Sequence, residues 1–200
     1  MRTRRTVLSA AVFLSATPAL SFFTSARAAS AGPTSQLIKA ARDALQQHGD
    51  RVTHTDVIGI ADFTLPSRQP RFHILNLADG SSEAYLVAHG RGSDPAHTGW
   101  LERFSNEFGS EATSKGSYVT GSTYMGHHGL SQRLLGLDPQ NSNAEKREIV
   151  MHSAWYVSSD LAHQAGVLGR SEGCLAFAEA DYHGILSRMG EGRFIYAGKA

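Results

Sequence analysis

Apolar runs in this chain are short, and most are closed by glycine or another turn-forming residue, so little of it can form long helix. Residues 57–61 read Val-Ile-Gly-Ile-Ala, and residues 71–77 direct Phe72 and Ile74 inward, with Leu77 a further candidate. Asp79-Gly80 is a hairpin signal that returns the chain through residues 83–88. Residues 118–120 and 123–125 resume a strand, Ile149-Val150-Met151 is a β-favouring apolar run, and residues 193–196 close the series. Short strands between Gly-rich turns predict a mainly β fold, a small curved sheet or sandwich with a few helices at its edges. An α/β arrangement of the cysteine-peptidase kind is the competing architecture.

Two segments carry a helical period instead. Pro33-Thr34-Ser35 is a helix start, Leu37, Ile38, Ala41 and Leu45 recur on one face, and Gly49 supplies a stop. The apolar stripe predicts docking on the domain, with a partner-binding helix as the alternative. Tyr182, Ile185, Leu186 and Met189 lie at i, i+3, i+4 and i+7, with Glu179 and Asp181 in the first turn and Gly190 at the end. Between them, residues 91–116 are rich in Gly, Ser, Asp and Asn and read as a long loop, a kind of segment that often carries function. Residues 138–148 read as a polar loop or short helix.

The N-terminus reads as a targeting segment. Thr3-Arg4-Arg5-Thr6-Val7-Leu8 has a twin-arginine pattern, an alanine-rich apolar run extends to Phe23, and Ala26-Arg27-Ala28 offers a cleavage site. The run is short and interrupted by Ser15, Pro18 and Ser21, whereas a spanning helix needs about 20 apolar residues. The organisation expected is a signal peptide over 1–28, a linker and amphipathic helix over 29–50, and one domain over 51–200, exported to the periplasm without a stable membrane anchor. The leader holds four of the 19 basic residues and none of the 18 acidic ones, which leaves a net charge of −3 after cleavage and no sign of a nucleic-acid surface.

The chain has one cysteine, Cys174, in the turn Gly169-Arg170-Ser171-Glu172-Gly173-Cys174. A lone thiol in an oxidising compartment cannot form an internal disulfide and is a liability unless it is used. His152 ends the apolar run at 149–151, and a single Cys with a His elsewhere is the pattern of a thiol nucleophile and its base. His89 is a second imidazole at a strand end. A buried structural Cys with a satisfied His is the bland alternative, but that needs no Ser-x-Gly turn before the sulfur. Adjacent His127 and His128 invite a metal reading, which is set aside because neighbours on an extended chain point apart and no zinc spacing lies nearby. One of them is a candidate to line a cleft.

His at a strand end followed by Gly-Arg-Ser-x-Gly-Cys-x-Ala resembles the L,D-transpeptidases, which cross-link bacterial peptidoglycan. The likeness runs from about Ala84 to Phe177. It includes Val87-Ala88-His89-Gly90-Arg91-Gly92-Ser93, Phe104-Ser105-Asn106, Gly129-Leu130-Ser131-Gln132-Arg133-Leu134, Gly136-Leu137-Asp138 and Arg147-Glu148-Ile149-Val150-Met151-His152. The resemblance implies that Cys174 is the nucleophile and His152 its base, with Ser171 shaping the turn and the N–H groups of Gly173 and Cys174 as oxyanion donors. His89 falls to a structural or substrate-lining role. The implied substrate is a peptidoglycan stem peptide, attacked between a diamino acid and D-alanine, with no metal or organic cofactor and with the chain acting as a monomer.

The departures from the family pattern bear on substrate binding. The better-known branch has His where Glu172 stands and Arg where Ala176 stands. Arg133, Arg170 or Arg91 is then the candidate to hold a substrate carboxylate, and Glu172 a candidate for the acceptor ammonium. Leu175 stands where the nearer branch has proline. Three functions are compatible with these residues: a transpeptidase, an L,D-carboxypeptidase or endopeptidase, and a non-catalytic wall-binding domain.

Overall fold

The computed structural model describes residues 32–200. The expected leader therefore lies outside the described residues. Nine strands form one sheet: β1 (His54–Asp62), β2 (Phe72–Asn76), β3 (Ser82–Tyr85), β4 (Val87–Ala88), β5 (Gly116–Gly126), β6 (Gly129–Gly136), β7 (Val150–Ser153), β8 (Leu175–Phe177) and β9 (Arg193–Gly198). Among the described residues three α-helices accompany them, α1 (Ser35–His48), α2 (Ser159–Gln164) and α3 (Glu179–Arg188). The mainly β expectation holds.

The strand order is β3-β2-β1-β9-β5-β6-β7-β8-β4. Only Leu86 separates β3 from β4, yet these strands form the two edges of the sheet. The sheet must therefore curl until its edges approach, and the core shows the result. Phe72 of β2 meets Phe177 of β8 edge to face at 4.8 Å between ring centroids, although six places separate β2 and β8 in the order. The segment 83–88, read from sequence as one strand, is thus two. Its first half pairs with β2 and its second with β8.

The interior of the curl holds Phe72, Ile74, Tyr118, Leu134, Met151 and Phe177, closed by Tyr182 and Ile185 from α3. The outer face holds Ile58, Ile60, Leu75 and Phe194, covered by Leu37 and Ala41 of α1. Thr34 caps α1, its hydroxyl accepting from the Leu37 N–H at 3.2 Å. The far end of α1 is tied to the sheet through Asp138, which receives His48 Nε2 at 2.6 Å and the Ser117 N–H at 2.6 Å.

β6 and α2 have no strong period in sequence. In β6 the polar Gln132 is fully buried and donates to the Gly121 carbonyl, so alternation of apolar residues is broken on the inner face. α2 is six residues long, capped by Ser158 accepting from the Leu161 N–H.

Candidate active site

The site is built where β7 and β8 run side by side in parallel. Met151 pairs with Leu175 and His152 with Ala176, so extending the register by one residue sets Cys174 opposite Val150. Side chains two apart on a strand share a face. His152 and Cys174 therefore come to the same face of neighbouring strands, two positions out of step, and both line one cleft of about 780 Å³.

The turn before the sulfur is fixed by backbone contacts. The Ser171 N–H donates to the His89 carbonyl at 3.0 Å, and the Arg91 N–H donates to the Ser171 carbonyl at 2.7 Å. The Ser171 hydroxyl donates to the Cys174 carbonyl at 2.7 Å and accepts from the Gly173 N–H at 3.2 Å. Gly173 has φ +125°, and a Cβ there would meet the Ala112 carbonyl at 3.0 Å. At Gly90 a Cβ would stand 2.2 Å from the Glu111 carbonyl and 2.7 Å from Gly173 N. Two backbones thus pass at a separation only glycine permits, and that contact places the loop 91–116 against the thiol turn.

Cys174 is nearly buried, and its thiol donates to the Glu148 carbonyl at 3.5 Å. Burial pushes the thiol up to about 11. The Glu172 carboxylate acts in the same direction, while the Val150 N–H and the Arg147 guanidinium oppose it. No helix starts at the sulfur: β8 follows Cys174 directly, so the thiol sits at a loop-to-strand junction and α3 begins only at Glu179.

His152 Nδ1 is 2.9 Å from the Ser153 carbonyl. That contact assigns the proton to Nδ1 and leaves Nε2 as the bare acceptor. The ring stacks on His128, with centroids 4.2 Å apart and planes 19° apart. Burial lowers His152 to about 4. The Ser153 carbonyl opposes this shift, and a charge on His128 would add to it. At neutral pH the resting pair is thus a neutral thiol beside a neutral imidazole, the state in which an imidazole can take a proton during attack.

The cleft wall is rich in charge. Arg91 holds Glu111 through both guanidinium and carboxylate, with Nε to Oε2 at 2.5 Å, and reaches Glu172 at 3.0 Å. Arg147 is held by neutral groups instead, donating to the carbonyls of Ser105 at 2.8 Å and Ala112 at 2.6 Å and to the hydroxyls of Ser110 and Ser114. Arg170 donates to the carbonyls of Asp94 and Pro95.

Of the residues singled out from sequence, Cys174, His152, Ser171, Arg170 and Glu172 line this cleft, and Gly173 shapes it. Arg133 lies outside, its guanidinium 4.6 Å over the Tyr124 ring in a small adjoining pocket. His89 is also outside, which fits the structural of its two expected roles rather than the substrate-lining one. It is buried, with Nδ1 2.6 Å from Arg71 Nη2 and Nε2 3.5 Å from Asp94. Its carbonyl, not its ring, serves the thiol turn. Both His127 and His128 line the cleft, where sequence suggested one. Arg147, Tyr156 and the His128 stack were missed, because each depends on tertiary return of the chain.

Residues 30–197 match the family model described as the L,D-transpeptidase catalytic domain, and the chain belongs to that family. No curated protein matches the chain. Among solved structures, an L,D-transpeptidase from Mycobacterium smegmatis is 13% identical, over 72% of this chain and 58% of that one, with a TM-score of 0.44. An L,D-transpeptidase from Mycobacterium tuberculosis is 18% identical, over 72% and 57%, with a TM-score of 0.39. The helical cell shape determining protein Pgp2 from Campylobacter jejuni is 13% identical, over 78% and 53%, with a TM-score of 0.47. The chain thus spans little more than half the length of these structures.

Proposed function

We propose that this protein is an exported L,D-transpeptidase that uses Cys174 as nucleophile and His152 as base on peptidoglycan stem peptides. The observation that carries the reading is the β7–β8 register, which puts thiol and imidazole on one face of a single cleft in a chain of this family. In the proposed step His152 Nε2 takes the thiol proton and the sulfur attacks the carbonyl that precedes D-alanine. The oxyanion forms beside the Cys174 N–H. The Gly173 N–H, which sequence offered as a second donor, already donates to Ser171 Oγ. Collapse of the intermediate releases D-alanine, which leaves with the proton from His152, and forms a thioester. An amine from a second stem peptide then attacks the thioester, giving a cross-link and the free thiol.

Arg147 and Arg170 are the cleft cations not already committed to a carboxylate, and they are the ones proposed to receive the substrate carboxylates. Arg91 is held by Glu111 and Glu172, which weakens its case and that of Glu172 as an acceptor site. Export by the twin-arginine route with cleavage after about Ala28, and action as a monomer in the periplasm, belong to the same proposal. No helix of the described residues is long and apolar enough to cross a membrane.

The test is to incubate residues 29–200, and the Cys174→Ala variant, with purified disaccharide-tetrapeptide and read the products by mass spectrometry. Cysteine-dependent dimers with loss of D-alanine are expected. Cysteine-dependent tripeptide without dimers would assign an L,D-carboxypeptidase, and no cysteine-dependent product would contradict the enzymatic reading.

A further inference from the structure

Few large aromatic side chains of a small domain stand open to water, and a cluster of them beside a cleft calls for a ligand. Trp155 is 76% exposed and Phe108 is 60% exposed. Phe108 lines the cleft that holds Cys174, as does Tyr156, whose ring meets Trp155 edge to face at 5.9 Å. Trp155 is the outer member of this pair.

The pair is held in place. The Gly169 N–H donates to the Tyr156 carbonyl at 2.9 Å, and a Cβ at Gly169 would stand 2.5 Å from the Tyr156 side chain. The loop that leads into the thiol turn is therefore packed directly on Tyr156. The Ala154 N–H donates to the Phe177 carbonyl at 2.8 Å, which anchors the other side of Trp155 to β8. An exposed indole on so fixed a backbone loses little freedom when a ligand lies on it.

Its position limits what the ligand can be. Trp155 follows His152 by three residues, so their Cα atoms are at most about 11 Å apart. In the stem-peptide reading above, on which this inference rests, the acylated residue is the third of the stem. An extended three-residue peptide carries its sugar roughly 10 Å from the sulfur or a little beyond. The indole thus lies within reach of the amino sugar of a glycan strand whose stem peptide occupies the cleft. A pyranose ring presents a face of C–H groups that packs on an aromatic plane, while its hydroxyl and acetamido groups remain in water.

We infer that Trp155, backed by Tyr156, is a saccharide-docking platform that receives an N-acetylhexosamine of the glycan strand while its stem peptide occupies the cleft. Discrimination between polymeric peptidoglycan and free peptide then resides in this rim, separate from the thiol chemistry.

The chain has two tryptophans, Trp100 and Trp155, so a Trp100→Phe variant reports on Trp155 alone. Titrating that variant with chitotetraose should give a saturable change in tryptophan emission, with half-saturation at ~1 mM as for a weak single-platform contact. In a second arm, Trp155→Ala should lower kcat/KM on disaccharide-tetrapeptide about tenfold while changing it less than about twofold on the same tetrapeptide without sugar. A flat titration, or equal losses on both substrates, overturns the platform. The first arm needs no turnover, so a protein that binds chitotetraose through Trp155 but processes neither substrate would refute the transpeptidase reading and leave the platform standing.

Discussion

The rings of His128 and His152 lie face to face, with centroids 4.2 Å apart and planes within 19° of parallel. His128 comes from the turn between β5 and β6, whereas His152 belongs to β7, so the stack forms only once β6 has paired with β7. A proton on His128 places a like charge against the base and lowers its affinity for a proton. Replacing His128 by Phe keeps an aromatic face and removes that charge. The pH profile of Cys174 acylation in this variant should extend less far into acid, because His152 then binds protons more readily and is lost as a base at higher pH. An unchanged acid limb would show that the two rings do not communicate.

The neutral thiol and neutral imidazole predict how Cys174 meets a simple alkylating reagent. Modification by iodoacetamide should be slow at pH 7 and should climb towards pH 11, following thiolate formation. Because iodoacetamide reacts with the thiolate, His152→Ala should depress the rate at neutral pH, where base assistance matters, and leave it nearly unchanged near pH 11.

The glycines at the crossing of the two loops should tolerate no side chain. Gly90→Ala places a methyl 2.2 Å from a backbone carbonyl that flexible side chains cannot relieve. A loss of ~3 kcal/mol in unfolding free energy is expected, together with loss of thiol reactivity, since the contact carries both loops. Gly80→Ala, at a hairpin turn with open space around it, should cost ~1 kcal/mol through its positive φ alone. Chemical denaturation of the two variants side by side separates the effects.

Much of this architecture is legible in sequence because particular segments carry a clear period. The helical spacing at Leu37 and Ala41 and at Tyr182 and Ile185 identified α1 and α3, and Asp79-Gly80 marked the β2–β3 hairpin. The split at Leu86 was not legible, because both halves favour extended chain and only closure of the sheet sends them to opposite edges. At the site, Cys174 and His152 stood out by residue type and local turn chemistry. The role of His89 stayed open between structural and substrate-lining because a strand end does not reveal which way its ring faces, and here it turns inward to Arg71. Arg147 was passed over because its partners lie more than 30 residues away, on the loop that folds back over it.

Stability should fall in mild acid. Burial lowers His152 to about 4 in the native state, and buried His89 and His73 are lowered below the usual histidine range chiefly for the same reason. An unfolded histidine binds its proton near 6.5. Above that value neither state is protonated and the native state keeps its full advantage. As pH falls below 6.5 the unfolded chain takes up protons that the native state refuses, so stability declines towards pH 4, by ~2 kcal/mol or more for His152 alone. Urea titrations at pH 7, 5.5 and 4.5 should give successively lower midpoints, and a His152→Gln variant should show a shallower decline.

The most direct test of the account is the mass of the intact protein during turnover. After brief exposure of residues 29–200 to disaccharide-tetrapeptide and quenching in acid, a covalent adduct equal to the donor less D-alanine should be found on the peptide that contains Cys174. It should be absent from Cys174→Ala and should form much more slowly in His152→Ala. An adduct on any other residue, or cross-linked product formed at the same rate by the Cys174→Ala protein, would contradict the assignment of the thiol as nucleophile.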